Sequence, residues 1–476
     1  MATSLLQKAY DPEIFKAEGQ LLIDQLSVHL QQTLSSSTLV TVPKDPQAEF
    51  EFWQQKLDDT QTTPSFFQTV IDRSIHLHHP RYIGHQIAPP VPVSALAILL
   101  SALLNNGMAV YEMGQASSAI ERVVIQWFVK HTGYQNGDGF LTSGGTLANL
   151  TALLAARKAK APKDVWQEGH TNRLAILVSE EAHYCVDRAA RIMGLGEAGI
   201  IKVPVNGQYQ IRTDLLEPYY KQAIQDGLRP IAIIGSACST STGMYDDVEA
   251  LSAFAKAYNL WFHVDGAHGG AAVFSSKYKH LVNGIAKADS IIIDGHKMMA
   301  TPAVSTALLF KNGDASYQTF HQKAQYLWDT EEDKEWFNYG KRTFECTKSM
   351  MSLRFYSIMN AHGTQFFDDF VTSLYDLGQQ FGQLVEEDRD FELFLKPQSN
   401  IVCFRHKHAI SAVKNDETLT KKIRQQLFEE GKYYIVTTQL QEETWFRTTI
   451  MNPFTTKTHF IELLDYIRSL AKHIKT

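Results

Sequence analysis

A lysine and an aspartate, each placed at the end of a short apolar run, are the residues of this sequence best suited to chemistry. Lys297 follows the run Ser290–Ile293, and Asp265 follows the run Leu260–Val264. Such runs predict buried strands, and ligands of an open α/β sheet bind at the carboxyl ends of its strands. We expect Gly295 to end its strand and to place Lys297 on a loop. An amine for a Schiff base and a carboxylate for a pyridine nitrogen are what a pyridoxal phosphate (PLP) site requires.

A glycine-rich turn, Ser143-Gly144-Gly145-Thr146, runs directly into the helical pattern Leu147–Lys160. Glycines let the backbone approach an anion closely, and a helix N-terminus offers free N–H groups and a positive dipole. The turn is thus a candidate phosphate cradle, with a hydroxyl donor from Thr146. Taken alone, it is equally compatible with a plain helix cap.

Three more positions follow predicted strands in the same region. His183 could stack on a cofactor ring, Thr240 lies in a hydroxyl-rich turn, and Ala267 is small enough to lie against the opposite ring face. Each has an ordinary structural explanation, since single histidines and Ser/Thr-rich turns are common. Their order along successive strand ends, together with Asp265 and Lys297, is what favours one shared site.

Composition excludes several classes of protein. The chain has 476 residues, a net charge of −6 and four scattered cysteines. No basic run contradicts the negative charge, so we expect no nucleic-acid partner. The cysteines form neither a disulfide framework nor a zinc site, and we expect no metal and a cytoplasmic location. The most apolar stretch, Val91–Leu104, is too short to span a bilayer and predicts a buried helix.

The chain is expected to form three parts. Residues 1–85 predict an N-terminal helical segment. In residues 86–350, apolar runs alternate with helical patterns, which predicts a large α/β domain with a doubly wound, mostly parallel sheet. Residues 351–476 begin with a long helical pattern (Met350–Glu387) and continue as a small α+β domain of short strands.

These motifs together resemble the pyridoxal-dependent decarboxylases that act on aromatic amino acids, glutamate or 2,4-diaminobutyrate. The resemblance rests on six segments: His79–Tyr82, Met108–Met113, Thr142–Asn149, the HVDGAH motif (His263–His268), the DGHK motif (Asp294–Lys297) and Asn400–Arg405. It covers most of the chain. It implies the fold of the aspartate aminotransferase superfamily (PLP fold type I) and a homodimer in which both chains complete each site.

The resemblance also implies roles for individual residues. Lys297 would form the Schiff base, Asp265 would hold the pyridine nitrogen, His183 would stack on the ring above Ala267, and Thr240 would lie near the ring hydroxyl. Phosphate would be held by Gly144, Gly145, Thr146 and His296. A mobile loop around Gln322–Phe337 would supply a proton donor, which is Tyr326 in one alignment, whereas another places Trp328 there. Lys348 stands where some members have an arginine for the substrate carboxylate.

The expected reaction is therefore the α-decarboxylation of an L-amino acid. By the resemblance, the partner chain contributes the segments that hold His85, Gln86 and Glu112 to the substrate pocket. Their polarity favours a polar substrate such as 2,4-diaminobutyrate, glutamate or aspartate. An aromatic substrate of the tyrosine type stays open. Transamination or oxidative deamination on the same scaffold is the competing reaction. A non-catalytic binding protein of this fold is disfavoured by the presence of both Lys297 and Asp265.

Overall fold

The structure is a computed structural model that describes residues 4–58, 62–170, 172–320, 334–407 and 417–474. Its helices, in chain order, are α1 (Leu5–Ala9), α2 (Pro12–Leu34), α3 (Pro46–Asp58), α4 (Thr63–Asp72), α5 (Pro92–Leu104), α6 (Gln115–Thr132), α7 (Gly145–Lys160), α8 (Val165–Glu168), α9 (Tyr184–Ile192), α10 (Leu216–Gln225), α11 (Val248–Ala257), α12 (Gly295–Met298), α13 (Asp314–Thr319), α14 (Ser352–His362), α15 (Gln365–Glu387), α16 (Glu417–Glu430) and α17 (Lys457–Ile474). Its strands are β1 (Asp138–Thr142), β2 (Leu174–Ser179), β3 (Ile200–Val203), β4 (Arg229–Ser236), β5 (Trp261–Asp265), β6 (Ser290–Asp294), β7 (Thr306–Phe310), β8 (Phe391–Leu393), β9 (Ile401–His406), β10 (Val436–Leu440) and β11 (Glu443–Thr449).

The chain divides into two compact units. The first consists of Met1–His85, Leu384–Leu393 and Cys403–Thr476, and the second of Gln86–Gln383 and Phe394–Val402. The division into 1–85, 86–350 and 351–476 stays a prediction.

A large mixed sheet forms the centre of the second unit. In the described residues it has seven strands in the order β1-β7-β6-β5-β4-β2-β3. The strands from β6 to β3 in this order are parallel neighbours, and β7 is antiparallel to both β1 and β6. Every strand except β7 therefore runs in one direction, and the carboxyl ends share one edge. The predicted α/β class with a mostly parallel sheet is confirmed.

Strand β1 is an element that the sequence does not predict. Its pattern is weakened by Gly139, which pairs with Leu309 of β7. A Cβ at position 139 would come within 2.2 Å of the carbonyl oxygen of Leu308, so only glycine permits this approach of the two strands. β1 positions the glycine-rich turn of the site, because β1 ends where the turn Ser143–Thr146 begins.

The long helical pattern Met350–Glu387 is two helices, α14 and α15, and the prediction of one helix is wrong. Gly363 follows the end of α14 with φ of 76°, a positive value that favours glycine and that a helix cannot contain. The chain then restarts as α15 at Gln365.

Helix α5 forms as predicted, but the expectation that it is buried is wrong for the single chain. Its buried residues are Ser94 and Ala97, whereas its leucines are 42–64% exposed. Apolar side chains on one helix that remain this exposed are a mark of an interaction surface. Among the described residues, no helix is both long and apolar enough to cross a bilayer.

The first unit carries a small antiparallel sheet in its described residues, in the order β10-β11-β9-β8. In this region the sequence predicts strands over Tyr433–Thr438 and Trp445–Met451, and β10 and β11 are shifted relative to these ranges. The connecting turn explains the shift, since Gln441 and Glu442 both have positive φ, at 52° and 64°. Two-residue hairpin turns of this kind usually contain Asn and Gly, so the pair Gln-Glu gives no turn signal.

Candidate active site

A cavity of about 300 Å³ lies at the carboxyl ends of the parallel strands in the second unit. It has the size of a small-molecule site and the position expected for a ligand of an open α/β sheet. Many of its lining residues were predicted from the sequence as cofactor-binding: Gly144, Gly145, Thr146, His183, Thr240, Asp265, Ala267, His296 and Lys297. The structure therefore brings these positions together around one space.

Lys297 lies in the short helix α12 and not on the predicted loop. Gly295 is where the strand turns into this helix, and a Cβ there would lie 2.2 Å from the Phe355 ring. The Lys297 ammonium is 3.1 Å from Oδ2 of Asp294, the last residue of β6. Burial lowers the pKa of Lys297, but the carboxylates of Asp294 and Asp265 outweigh burial, and the pKa is raised above its usual value.

Asp294 is held in place by contacts on both of its oxygens. It is 2% exposed, and its Oδ1 accepts a hydrogen bond of 2.5 Å from the Thr306 hydroxyl. The imidazole of His296 lies 3.7 Å from Oδ2. Burial lowers the pKa of His296, although Asp294 opposes this effect. His296 is therefore mainly a neutral donor or acceptor at the edge of the cavity.

The glycine-rich turn leads into the N-terminus of α7, as the phosphate-cradle hypothesis requires. Gly144 has φ of 99° and is the residue before the first helical position. A Cβ on Gly145 would lie 3.1 Å from one carboxylate oxygen of Asp294 and 3.2 Å from the other. The backbone of the turn thus reaches the floor of the cavity, where the first N–H groups of a helix lack intrahelical acceptors.

Asp265 ends β5 and is held by two donors. Its Oδ1 accepts from the backbone N–H of Ala267 at 3.1 Å, and its Oδ2 accepts from the side-chain amide of Asn149 at 3.0 Å. The residue is buried, at 8% exposure. A carboxylate fixed in this way inside the cavity is suited to bind a protonated ring nitrogen.

His183 precedes α9, and its Nδ1 accepts a hydrogen bond of 3.3 Å from the backbone N–H of Cys185. Burial lowers its pKa, while Asp265 acts in the opposite direction and Lys297 in the same direction. A neutral ring is expected, and neutral rings stack well on an aromatic cofactor.

The predicted substrate residues are placed differently. Lys348 does not line the cavity, since its ammonium is buried on the Glu121 carboxylate and on the Leu141 carbonyl oxygen, 2.6 Å away. Gln86 does not line it either, and its amide nitrogen is buried without a hydrogen-bond partner in the described part of the chain. His85 belongs to the first unit, where its ring is 5.7 Å from that of Tyr434. Tyr326 and Trp328 lie outside the described residues.

Sequence reasoning missed two residues that the structure places at the centre of the site. Asp294 is part of the DGHK motif and could have been found as a carboxylate three residues before the lysine. Asn149 is the last residue of the motif Thr142–Asn149. Nothing in the sequence shows that its amide reaches Asp265, because the two residues are far apart along the chain.

Comparison with known proteins agrees with this geometry. The family model described as "Pyridoxal-dependent decarboxylase conserved domain" matches residues 46–407. Aspartate 1-decarboxylase of Aliivibrio fischeri is 28% identical, over 98% of this chain and 94% of that protein. L-2,4-diaminobutyrate decarboxylase of Acinetobacter baumannii is 25% identical, over 87% of this chain and 84% of that protein. The crystal structure of mouse CSAD has a TM-score of 0.89 at 23% identity, covering 97% of this chain and 99% of that chain.

The chain belongs to the pyridoxal-dependent decarboxylase family, and it has the PLP fold type I expected from the resemblance. It is a PLP-dependent amino-acid decarboxylase. The residues present fit the cofactor on structural grounds. A largely buried lysine, a fixed carboxylate and a glycine turn at a helix N-terminus meet in a single cavity. A Cβ at Gly145 would press on the Asp294 carboxylate.

Proposed function

We propose that the chain is an L-amino-acid α-decarboxylase in which Lys297 carries PLP and Asp265 holds its ring nitrogen. The observation that supports this proposal is that both side chains line one cavity together with Gly145 and Thr146. When bound, PLP takes up the electron pair left at the α-carbon as the substrate carboxylate departs as carbon dioxide. The remaining steps belong to the residues of the chain.

Each of these residues has a physical task. The backbone of Gly144 and Gly145 and the Thr146 hydroxyl would hold the phosphate, with His296 beside them. His183 and Ala267 would enclose the ring, and Thr240 would bind its hydroxyl. Asp294 would hold Lys297 whenever the lysine is free. Tyr326 is the proposed proton donor to the α-carbon, a role that rests on the sequence.

For the substrate we propose a polar side chain, with aspartate as the first candidate. Similarity to an aspartate 1-decarboxylase along almost the full length of both chains supports this choice. An aromatic-L-amino-acid decarboxylase of Bacillus atrophaeus is 25% identical over 86% of this chain, so an aromatic substrate is the second candidate.

We also propose that the chain works as a homodimer in the cytoplasm. The exposed leucines of α5 (Leu96, Leu99, Leu100, Leu103 and Leu104) form a continuous apolar patch that a second copy would cover. The four cysteines are free thiols, as expected in a reducing compartment. Light scattering should give twice the mass of the 53.7 kDa chain. A monomer that retains full activity would contradict the dimer.

One experiment tests the reaction and the substrate together. The PLP-loaded protein is incubated separately with aspartate, glutamate, 2,4-diaminobutyrate and tyrosine, and carbon dioxide, amine, aldehyde and keto acid are measured. We expect equal amounts of carbon dioxide and amine from a polar substrate, and none from the Lys297→Ala variant. Amine from tyrosine alone would overturn the substrate proposal. Keto acid or aldehyde without amine would overturn the reaction.

A further inference from the structure

A chain of buried hydrogen bonds runs behind Asp265, away from the cavity. The Asn149 amide nitrogen donates to Oδ2 of Asp265 at 3.0 Å, and Asn149 Oδ1 is 2.8 Å from Nε2 of His263. Nδ1 of His263 is 2.8 Å from the Ser290 hydroxyl, which also accepts from the Trp261 indole N–H at 2.8 Å. The chain joins β5, β6 and α7.

The local structure explains why these residues meet. Trp261, His263 and Asp265 occupy alternate positions of β5 and therefore share one face of the strand. Ser290 is the register partner of His263 on the neighbouring strand β6. Asn149 lies one helical turn after Gly145, so α7 carries the phosphate cradle at its N-terminus and the amide that binds Asp265 one turn later.

When His263 is neutral, one arrangement of protons satisfies the side chains of this hydrogen-bond chain. A carboxylate only accepts, so the Asn149 NH₂ faces Asp265 and its carbonyl oxygen faces His263. A neutral His263 must then donate from Nε2. Its Nδ1 lies 2.8 Å from the Ser290 hydroxyl oxygen and 3.2 Å from the Ser290 carbonyl oxygen, and it accepts from the hydroxyl. That hydroxyl oxygen in turn accepts from Trp261, which can only donate. Flipping the amide would set its carbonyl oxygen against a carboxylate oxygen at 3.0 Å.

His263 is suited to this part because it stays uncharged. It is completely buried, and burial lowers its pKa to about 4, although Asp265 opposes the shift. A buried network in which each member has a hydrogen-bond partner holds its members in a single geometry.

We infer that Asn149 and His263 are positioning residues, which act through Asp265 to hold its carboxylate aimed at the pyridine nitrogen of bound PLP. This inference rests on the proposed role of Asp265. Asn149 lines the cavity and His263 does not, so the site extends beyond the residues that line the cavity. Without the amide, Oδ2 loses a donor that stabilises its charge, and the carboxylate gains freedom to rotate.

The test measures the protonation of the pyridine nitrogen directly. The wild type and the variants are loaded to saturation with PLP labelled with ¹⁵N at the pyridine nitrogen, and the ¹⁵N chemical shift is measured without substrate. We expect Asn149→Ala and His263→Leu to move the shift toward that of the unprotonated ring. They should also lower kcat by roughly tenfold to a hundredfold, with KM changed less than about threefold. His263→Gln, whose amide can still donate to Asn149, should retain most of the wild-type shift.

Controls separate this inference from general damage and from failure of the proposed function. Thr151→Val is the matched control, because Thr151 is as buried as Asn149 in the same helix and its hydroxyl has no partner in the described residues. It should leave the shift unchanged. If Asp265→Ala moves the shift but Asn149→Ala and His263→Leu do not, the positioning role is overturned and the proposed function stands. If Asp265→Ala leaves the shift unchanged, the role proposed for Asp265 itself is wrong. If His263→Leu does not fold, the ¹⁵N shifts of Asn149→Ala and His263→Gln test the positioning role.

Discussion

The ammonium of Lys297 lies 3.1 Å from Oδ2 of Asp294, three residues earlier in the chain. The pair is almost fully buried, with side chains 18% and 3% exposed. A cofactor-binding lysine is useful only if it can become a neutral nucleophile, and a neighbouring carboxylate favours the charged form instead. Asp294 therefore keeps the free lysine in place and charged until the cofactor or substrate chemistry neutralises it.

Replacing Asp294 tests this relationship. In the PLP-free protein, Asp294→Asn should lower the pKa of Lys297 and speed PLP loading between about pH 7 and 10, because more of the amine is neutral. The loading rate can be followed by absorbance as a function of pH. Asp289→Asn is the control, since Asp289 lies just before β6 and does not line the cavity. A pH profile of Asp294→Asn identical to that of the wild type would refute the pairing.

The same pair predicts how the stability of the PLP-free protein depends on pH. The folded protein holds the pKa of Lys297 above its usual 10.5, so protonation of Lys297 contributes stability that is fully present below that value. The contribution is lost as the pH rises through the raised pKa. We expect chemical denaturation of Lys297→Met to show a smaller loss of stability above pH 10.5 than the wild type shows. An equal loss would mean that other groups cause it.

The buried ion pair of Glu121 and Lys348 is expected to stabilise the fold and not to bind substrate. Lys348→Met leaves the Glu121 carboxylate buried without its cation, which is expected to cost about 3–5 kcal/mol of unfolding free energy. Adding Glu121→Gln should restore part of the loss, because the neutral amide can still accept from the N–H of Leu141, 2.9 Å from Glu121 Oε1. Urea denaturation measures both. If Lys348 instead binds the substrate carboxylate, Lys348→Met will raise KM without lowering stability.

Much of the large sheet could be predicted because its strands are continuous apolar runs. β2, β5 and β6 are buried along their whole length, so their composition alone separates them from the helices. Elements that depend on backbone geometry were harder to predict from the sequence. β1 depends on a close approach at Gly139, the break between α14 and α15 on Gly363, and the hairpin of β10 and β11 on two residues of positive φ.

The residues of the candidate site also differ in how well the sequence predicts them. Lys297 and Asp265 carry a local signal, since each ends an apolar strand. Asn149 and His263 carry none, because their importance arises from contacts between β5, β6 and α7 that only the fold creates. Lys348 is the opposite case. An alignment position predicts a substrate contact, which stays a prediction, and the structure supplies Glu121 as its partner.

The phosphate cradle gives the last prediction. A Cβ added to Gly145 would lie 3.1 Å from an Asp294 carboxylate oxygen, so Gly145→Ala must push Asp294 away by a few tenths of an ångström. The displacement moves the partner of Lys297 and narrows the space where phosphate would lie against the start of α7. We expect the Kd for PLP, measured by fluorescence on the PLP-free protein, to rise by roughly tenfold, with little change in the melting temperature of that protein. Gly207→Ala is the control, because an added Cβ at Gly207 meets nothing within 4 Å. If both variants bind PLP like the wild type, the glycine turn does not hold the phosphate.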